Sequence, residues 1–258
     1  MTDSLVTALN ELLILGCGHS EADTLFNNNA LVRTEQGNLL LDCGYTIKPA
    51  LFAQGLKLQD IDAVVITHVH ADHVFGLERL ANEGRYKFKR KVRLYLQPEL
   101  YDELWHQTLK GSLGRNGEGQ CELEDYFEVC WIEQNQFDYA GNHYQLHRVT
   151  HTPGKPCFGI EINGAVFYSG DTLVLPELLA TLQVQWIFHD CTLTDWNPVH
   201  APVSSLLHSY PEALRKRIFL MSYEDHWADF SGLAEREFAG FARQGQRLDL
   251  NRLGGVQS

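Results

Sequence analysis

The sequence predicts an α/β chain in which two mixed β-sheets pack together with helices on the outside. Three observations carry that expectation. Short apolar runs alternate along the whole chain with segments of helical period. Hairpin signals stand in the first and third quarters, at "ALVRTEQGNLLLDCG" and "IEINGAVFY", the latter with Asn163-Gly164 between alternating apolar runs. "DAVVIT" is a continuous β-branched apolar run, the mark of a strand buried on both faces.

The elements follow in order. "MTDSLVTALNELLILGCG" has no basic leader, and its apolar residues alternate with polar ones, so it reads as a helix then a strand and not as a signal peptide. "ALVRT" and "NLLLDCG" are the strands of the first hairpin, separated by "EQG". "TIKPALFAQGL" has helical spacing and ends near Gly55. After the "DAVVIT" strand, "HVFGLERLANEG" returns to helical period, "VRLYLQ" is a strand, and "PELYDELWHQTLK" is a helix with proline at its start. "GSLGRNGEGQ", residues 111–120, is polar and glycine-rich, either a mobile loop over an active site or a plain surface connection. "YFEVCWI", "HYQLHRVTH", "CFGIEI", "AVFYSGD" and "VQWIFHD" are strand-like. Late helices are expected at 202–215 and 232–243, with "RIFLMSY" as a strand between them. No repeat and no linker divides the chain, so residues 1–258 read as one domain.

Composition narrows the function. The chain is 44% apolar and 21% charged, an ordinary composition for a protein with a sizeable core. No segment approaches the ~20 apolar residues of a membrane span. Six scattered cysteines without a CxxC pair suggest reduced thiols and a cytoplasmic location. Net charge is −12, whereas nucleic-acid binders usually carry a basic surface. The one dense basic run, Arg85 to Arg93, reads as a solvated loop between a helix and a strand. A small-molecule substrate is therefore favoured over a long polynucleotide, and a homodimer is compatible with the sequence.

The chemistry concentrates in "ITHVHADHVFGLERL". His68, His70, Asp72 and His73 crowd the end of an apolar run. Imidazoles are costly to bury unless each nitrogen finds a partner. A divalent metal takes imidazole nitrogen and carboxylate oxygen at about 2 Å. His68 and His70 can converge from an extended or tightly turned segment, while Asp72 and His73 point elsewhere in the turn, toward a second metal. Asp171 ends the apolar strand of "AVFYSGDT". Asp42 also ends a strand, where it can orient ligand histidines without binding metal itself.

"THVHADH" resembles the HxHxDH motif of the metallo-β-lactamase superfamily. "LLLDCG", "VTHTPGKPCFG" and "VFYSGDT" resemble further segments of that superfamily, in the same order. The resemblance implies an αβ/βα four-layer sandwich with two divalent metal ions, zinc first, with Mn²⁺ or Fe²⁺ as alternatives. It implies that His68, His70 and His151 hold one metal, that Asp72 and His73 hold the second, and that Asp171 bridges them. In many members a late strand ends in a histidine ligand. Here "FLMSYEDHW" has Met221-Ser222 at that place, and His226 is the expected seventh ligand, with His189 next. "WIFHDCTLTDWNPVH" resembles the late segment of ribonuclease Z-like members, which makes His200 the expected proton donor to the leaving group. Asp72 and His200 are the residues expected to take part in catalysis. His19 reads as a polar loop residue; His106, His143, His147 and His208 occupy ordinary helix or strand positions.

Two adjacent metals can bridge a water and lower its pKa toward neutrality, so hydrolysis is the expected reaction. The layout resembles the ribonuclease Z and small phosphodiesterase branch. The negative charge, and the lack of an obvious RNA-gripping arm between His73 and His151, favour a small phosphodiester such as a cyclic nucleotide. "HTPGKP" keeps a lactone, ester or thioester hydrolase open. Ribonuclease Z-like RNA processing, an iron-dependent sulfur dioxygenase and a non-catalytic metal-binding protein are the remaining alternatives.

Overall fold

Parallel pairing in two sheets brings distant parts of the chain to one edge. The computed structural model describes residues 9–253. Its strands, in chain order, are β1 (Asn10–Gly16), β2 (Asn29–Thr34), β3 (Gly37–Leu41), β4 (Ala63–Val65), β5 (Val92–Leu96), β6 (Arg115–Asn116), β7 (Gly119–Gln120), β8 (Phe127–Trp131), β9 (Gln136–Tyr139), β10 (Asn142–Arg148), β11 (Phe158–Ile162), β12 (Val166–Tyr168), β13 (Trp186–Asp190), β14 (Ile218–Met221), β15 (Gly240–Phe241) and β16 (Arg247–Asp249). One seven-stranded sheet runs β16-β1-β2-β3-β4-β5-β8 and the other β15-β14-β13-β12-β11-β10-β9; β6 and β7 pair separately. Antiparallel hairpins give way to parallel strands within each sheet: β3, β4, β5 and β8 in one, β12 to β15 in the other. Both sheets contribute to one continuous core, in which Leu40, Val64, Phe167 and Leu220 are fully buried. This is the α/β sandwich that the sequence predicts.

The expected hairpins are present. β2 pairs β3 antiparallel, and β11 pairs β12 across Asn163-Gly164. Asn163 (φ 55°) and Gly164 (φ 64°) both lie in the left-handed region, as a type I′ turn requires. The expected N-terminal helix falls largely outside the described residues.

The helices depart from expectation where glycine or proline intervenes. The segment after β4 breaks at Gly76 into Ala71–Val74 and Leu77–Asn82. A wide π-turn, Glu83–Phe88, then absorbs much of the basic run, which is therefore helical and not a loop until Lys89 (φ 57°). Residues 98–113 are helical, with a π segment at Asp102–Leu109. The late helical stretch splits at Pro211 into Val203–Ser209 and Glu212–Arg215. The last α-helix among the described residues, Ser231–Glu237, is shorter than expected because Gly240–Phe241 leaves it to pair with β14. Of the polar segment 111–120, residues 111–113 end the helical stretch 98–113 and residues 115–120 form a short hairpin, with Asn116 bonded to the hydroxyls of Tyr86 and Tyr126 and Glu118 paired to Arg85. All six cysteines are free, and among the described residues no helix is long and apolar enough to cross a membrane.

Candidate metal centre

Parallel strands end side by side, and these end at the site. β3 runs into Asp42, β4 into Thr67 and His68, β12 into Asp171, β13 ends at Asp190, and β14 runs into Ser222. The connection from β10 to β11 supplies His151, and the loop after β13 supplies His200. Open α/β sheets place ligands at such carboxyl ends. The turn carrying Asp72 and His73 is clamped against the turn after β3. The Cys43 amide donates to the His73 carbonyl at 2.7 Å, and the Gly76 amide to the Cys43 carbonyl at 2.8 Å. The approach is so close that a Cβ at Gly44 would lie 1.9 Å from the Asp72 carbonyl oxygen.

Asp42 organises the centre from beneath. It sits at φ 60°, a left-handed conformation costing about 1 kcal/mol or more for a non-glycine residue. Three hydrogen bonds offset that cost. Its carboxylate accepts from the Thr67 amide (2.8 Å), the Thr67 hydroxyl (2.8 Å) and His73 Nδ1 (2.8 Å). Having given its proton to Asp42, the Thr67 hydroxyl accepts from His68 Nδ1 at 3.0 Å. One buried carboxylate therefore fixes both rings with Nε2 turned inward, and on His68 that nitrogen is a bare lone pair. His151 is fixed the same way, donating from Nδ1 to the Val199 carbonyl at 2.7 Å.

The bare nitrogens converge. His68 Nε2 lies 3.1 Å, and His151 Nε2 3.2 Å, from His70 Nδ1. Asp171 Oδ2 lies 3.9 Å from His68 Nε2 and 4.0 Å from His151 Nε2. Four ligands at about 2 Å from a common centre stand roughly 3.3 Å apart. Burial, and then the neighbouring histidines, hold His70 down to about 4 and His68 well below its usual range, so both are unprotonated at neutral pH. Their crowded lone pairs repel one another unless a cation lies between them.

A second group of ligand atoms comprises Asp72, His73 and Asp171. His73 Nε2 is 3.2 Å from both the Asp72 and the Asp171 carboxylates, yet it is buried without a well-directed hydrogen bond. Burial opposes charge on His73, but the carboxylates of Asp171, Asp72 and Asp42 outweigh it and hold the ring well above its usual pKa. The pocket therefore demands positive charge, which a proton or a metal ion can supply. The donor types of both groups, to which Asp171 is common, fit a divalent metal ion.

Beside these groups, His200 Nδ1 pairs with Asp190 at 2.8 Å, and His200 Nε2 faces Asp171 Oδ2 at 3.9 Å. Burial works against protonation of His200, but Asp190 and Asp171 raise it to about 10; burial raises Asp190 to about 6 against the pull of His200. Both are charged at neutral pH. The His19 ring stands edge-on to His200 at 5.0 Å and is itself buried, so it lines the site and is more than a loop residue.

The structure brings together His68, His70, Asp72, His73, His151, Asp171 and His200. It does not bring His226. That residue is exposed, with its ring against Phe230, and belongs to none of the metal-competent groups among the described residues. The chain leaves β14 through Ser222 (φ 63°), Glu224 is bound to Thr192 and Leu193, and Asp225 to the amides of Asp23 and Thr24. This anchors the turn Asp225–Phe230 so that His226 faces solvent. Ser222 stands near the centre instead, with its hydroxyl 3.3 Å from Asp171 Oδ1. His189 is no substitute ligand: its nitrogens are occupied by the Asp190 carbonyl and the Tyr210 hydroxyl. Sequence reasoning missed Thr67 and the Val199 carbonyl; only the placement of Thr67 directly before His68 hinted at its role.

The model of the Anti-Pycsar protein Apyc1 family matches residues 10–248. The Anti-Pycsar protein Apyc1 of Paenibacillus xerothermodurans is 36% identical over 228 residues, covering 86% of this chain and 91% of that protein. Among solved structures, a diphosphatase from the PhnP family superposes with a TM-score of 0.75 at 18% identity, covering 94% of this chain and 98% of the other. The metallo-β-lactamase fold protein YhfI from Bacillus subtilis superposes at 0.72 with 17% identity, covering 93% of this chain and 98% of the other.

Proposed function

The chain belongs to the Anti-Pycsar protein Apyc1 family and has the metallo-β-lactamase fold, and from the geometry of its centre we infer a metal-dependent phosphodiesterase that acts on a small phosphodiester such as a cyclic nucleotide. The relatives and the fold support a metallo-hydrolase; the bond cleaved is our reading. The observation that supports it best is the His200–Asp190 pair at 2.8 Å beside the shared Asp171, a positioned proton donor next to a paired metal site. Alkoxide leaving groups, as in a cyclic nucleotide, need such a donor.

In this reading His68, His70, His151 and Asp171 hold one divalent ion, and Asp72, His73 and Asp171 the other. Such ions, zinc first, supply positive charge to phosphoryl oxygens and lower the pKa of water toward neutrality. The chain's own residues do the rest. Asp42 and Thr67 hold His68 and His73 in the tautomer that turns Nε2 inward. The Val199 carbonyl does the same for His151. Asp190 holds His200 so that its Nε2–H can be delivered to the departing oxygen, and stabilises the cation before transfer. Residues from both sheets meet at this one centre, so we read residues 1–258 as one hydrolase domain. A net charge of −12 suits a small substrate better than a long polynucleotide. We keep a cytoplasmic location and a homodimer as part of the proposal.

The test is metal analysis of the purified protein followed by a panel of bis-p-nitrophenyl phosphate, cyclic nucleotides, lactones and thioesters. Turnover of the phosphodiesters, with metal bound, supports the reading. Ready turnover of lactones or thioesters with every phosphodiester inert transfers the site to the carbon-ester branch.

A further inference from the structure

We propose that Lys155, neutralised by Glu103, is a positioning residue that sets His151 against His68 and His70 in the first metal group. This role presupposes the metal-binding reading above and is independent of the bond that is cleaved.

The three histidines of that group come from two sheets. His68 and His70 follow β4, whereas His151 stands in the connection from β10 to β11. Their spacing depends on how those two loops are held together. Lys155 joins them directly. Its amide donates to the Thr152 carbonyl at 3.1 Å, closing a turn at Gly154 (φ 81°) just after His151. Its ammonium donates to the carbonyl of Val69, the residue between His68 and His70, at 3.2 Å. The Phe158 amide donates to the Thr67 carbonyl at 3.0 Å, so residues 155–158 run beside residues 67–69. Pro156 has no amide to give to this pairing, and the Lys155 side chain supplies a donor in its place.

The same ammonium is anchored from a third direction. It pairs at 2.6 Å with Glu103, on the helical stretch 98–113, and both side chains are 25% exposed. The other Glu103 oxygen is buried without a hydrogen-bond partner, so the support of this carboxylate comes from Lys155. Glu103 in turn cancels a charge that would work against a metal. After burial and the neighbouring histidines, Lys155 is a further cause that keeps a proton off His70. An uncompensated ammonium there would oppose a metal cation for the same reason.

A second ion pair on the same helical stretch lacks the contact to Val69. Arg148, on the other flank of His151, pairs with Glu99, and the two side chains are 55% and 45% exposed. An exposed pair of that kind does little to hold a loop. Lys155 differs in being more deeply buried and in touching the turn that carries His68 and His70.

Stepwise chelator competition on the metal-loaded protein tests this, with His70→Ala and Asp72→Ala assigning each dissociation step to its group. The double variant Lys155→Met/Glu103→Gln removes the link without leaving either charge unpaired, so the fold should be kept. Loss of an outer partner typically costs roughly 10–100-fold in metal affinity. The double variant should weaken the first group by that factor and leave the second group and the melting temperature unchanged. Glu103→Gln alone, which leaves the ammonium beside His70 uncompensated, should weaken the first group as well. Arg148→Gln should change neither affinity. Unaltered first-group affinity in the double variant overturns the proposal. So does equal weakening of both groups, the mark of general loosening, or a loss in Arg148→Gln as large as in the double variant. A wild-type protein that binds no metal overturns the metal-binding reading instead, and which ester is hydrolysed enters none of these measurements.

Discussion

His200 donates from Nδ1 to the Asp190 carboxylate at 2.8 Å, and Asp190 is itself fixed by the amide of Thr172 at 2.7 Å. The pairing commits one nitrogen of His200 and turns the other toward Asp171, where the reacting group must lie. Removing a positioned proton donor typically costs about 10²–10⁴ in rate. His200→Ala should lose that much on a substrate with an alkoxide leaving group and far less on a p-nitrophenyl ester, whose leaving group needs no proton. Metal content should stay at the wild-type value. Equal losses on both substrates would contradict a proton-donor role.

Asp42 makes a separate prediction. It orients one histidine of each metal group without belonging to either. Loss of such an outer partner typically costs 10–100-fold in metal affinity. Asp42→Ala should weaken both sites in a chelator competition, although all the inner residues remain. Undiminished affinity at both sites would show that the tautomers are set by other means.

His226 yields the opposite expectation. As an exposed residue it should be replaceable by alanine with a stability change within about 0.5 kcal/mol. Metal stoichiometry should be unaltered in His226→Ala, whereas His73→Ala should lose metal. Elemental analysis of the two variants side by side decides whether the turn at Asp225–Phe230 stays outside the centre in solution.

His189 predicts a pH dependence. Burial holds its pKa down to about 4, against an ordinary value of 6.5. Above pH 6.5 neither folded nor unfolded chain binds the proton, and this histidine costs nothing. Between 6.5 and 4 the unfolded chain takes up the proton and the folded one does not. Stability is therefore lost as pH falls through that window, by about 3 kcal/mol from this residue alone. Histidine NMR should show the His189 ring neutral at pH 5.5; a midpoint near 6.5 would contradict it.

Much of the candidate centre was legible because its side chains are chemically conspicuous. Three histidines and an aspartate at the end of an apolar run announce themselves, and the apolar lead-in placed them correctly at the end of β4. Asp171 was readable for the same reason. His226 was misread because the sequence shows a histidine four residues past Ser222 but not the left-handed turn and side-chain anchors that carry it outward. The supporting contacts were illegible for a related reason: the Val199 carbonyl that holds His151 is a backbone atom 48 residues away in sequence. In the fold, β9, β15 and β16 were missed because two- to four-residue edge strands carry too little pattern. Their pairing comes from neighbours already in place.

Reaction at phosphorus separates a phosphodiesterase from every carbon-ester hydrolase, and one assay reads it directly. Metal-loaded enzyme is incubated with 3′,5′-cyclic nucleotides of purine and pyrimidine type, and the products are followed by phosphorus NMR. Metal-dependent conversion to nucleoside monophosphates is expected, abolished by chelation and sharply slowed in His200→Ala. Unchanged cyclic nucleotides under conditions where lactones or thioesters are hydrolysed would contradict it.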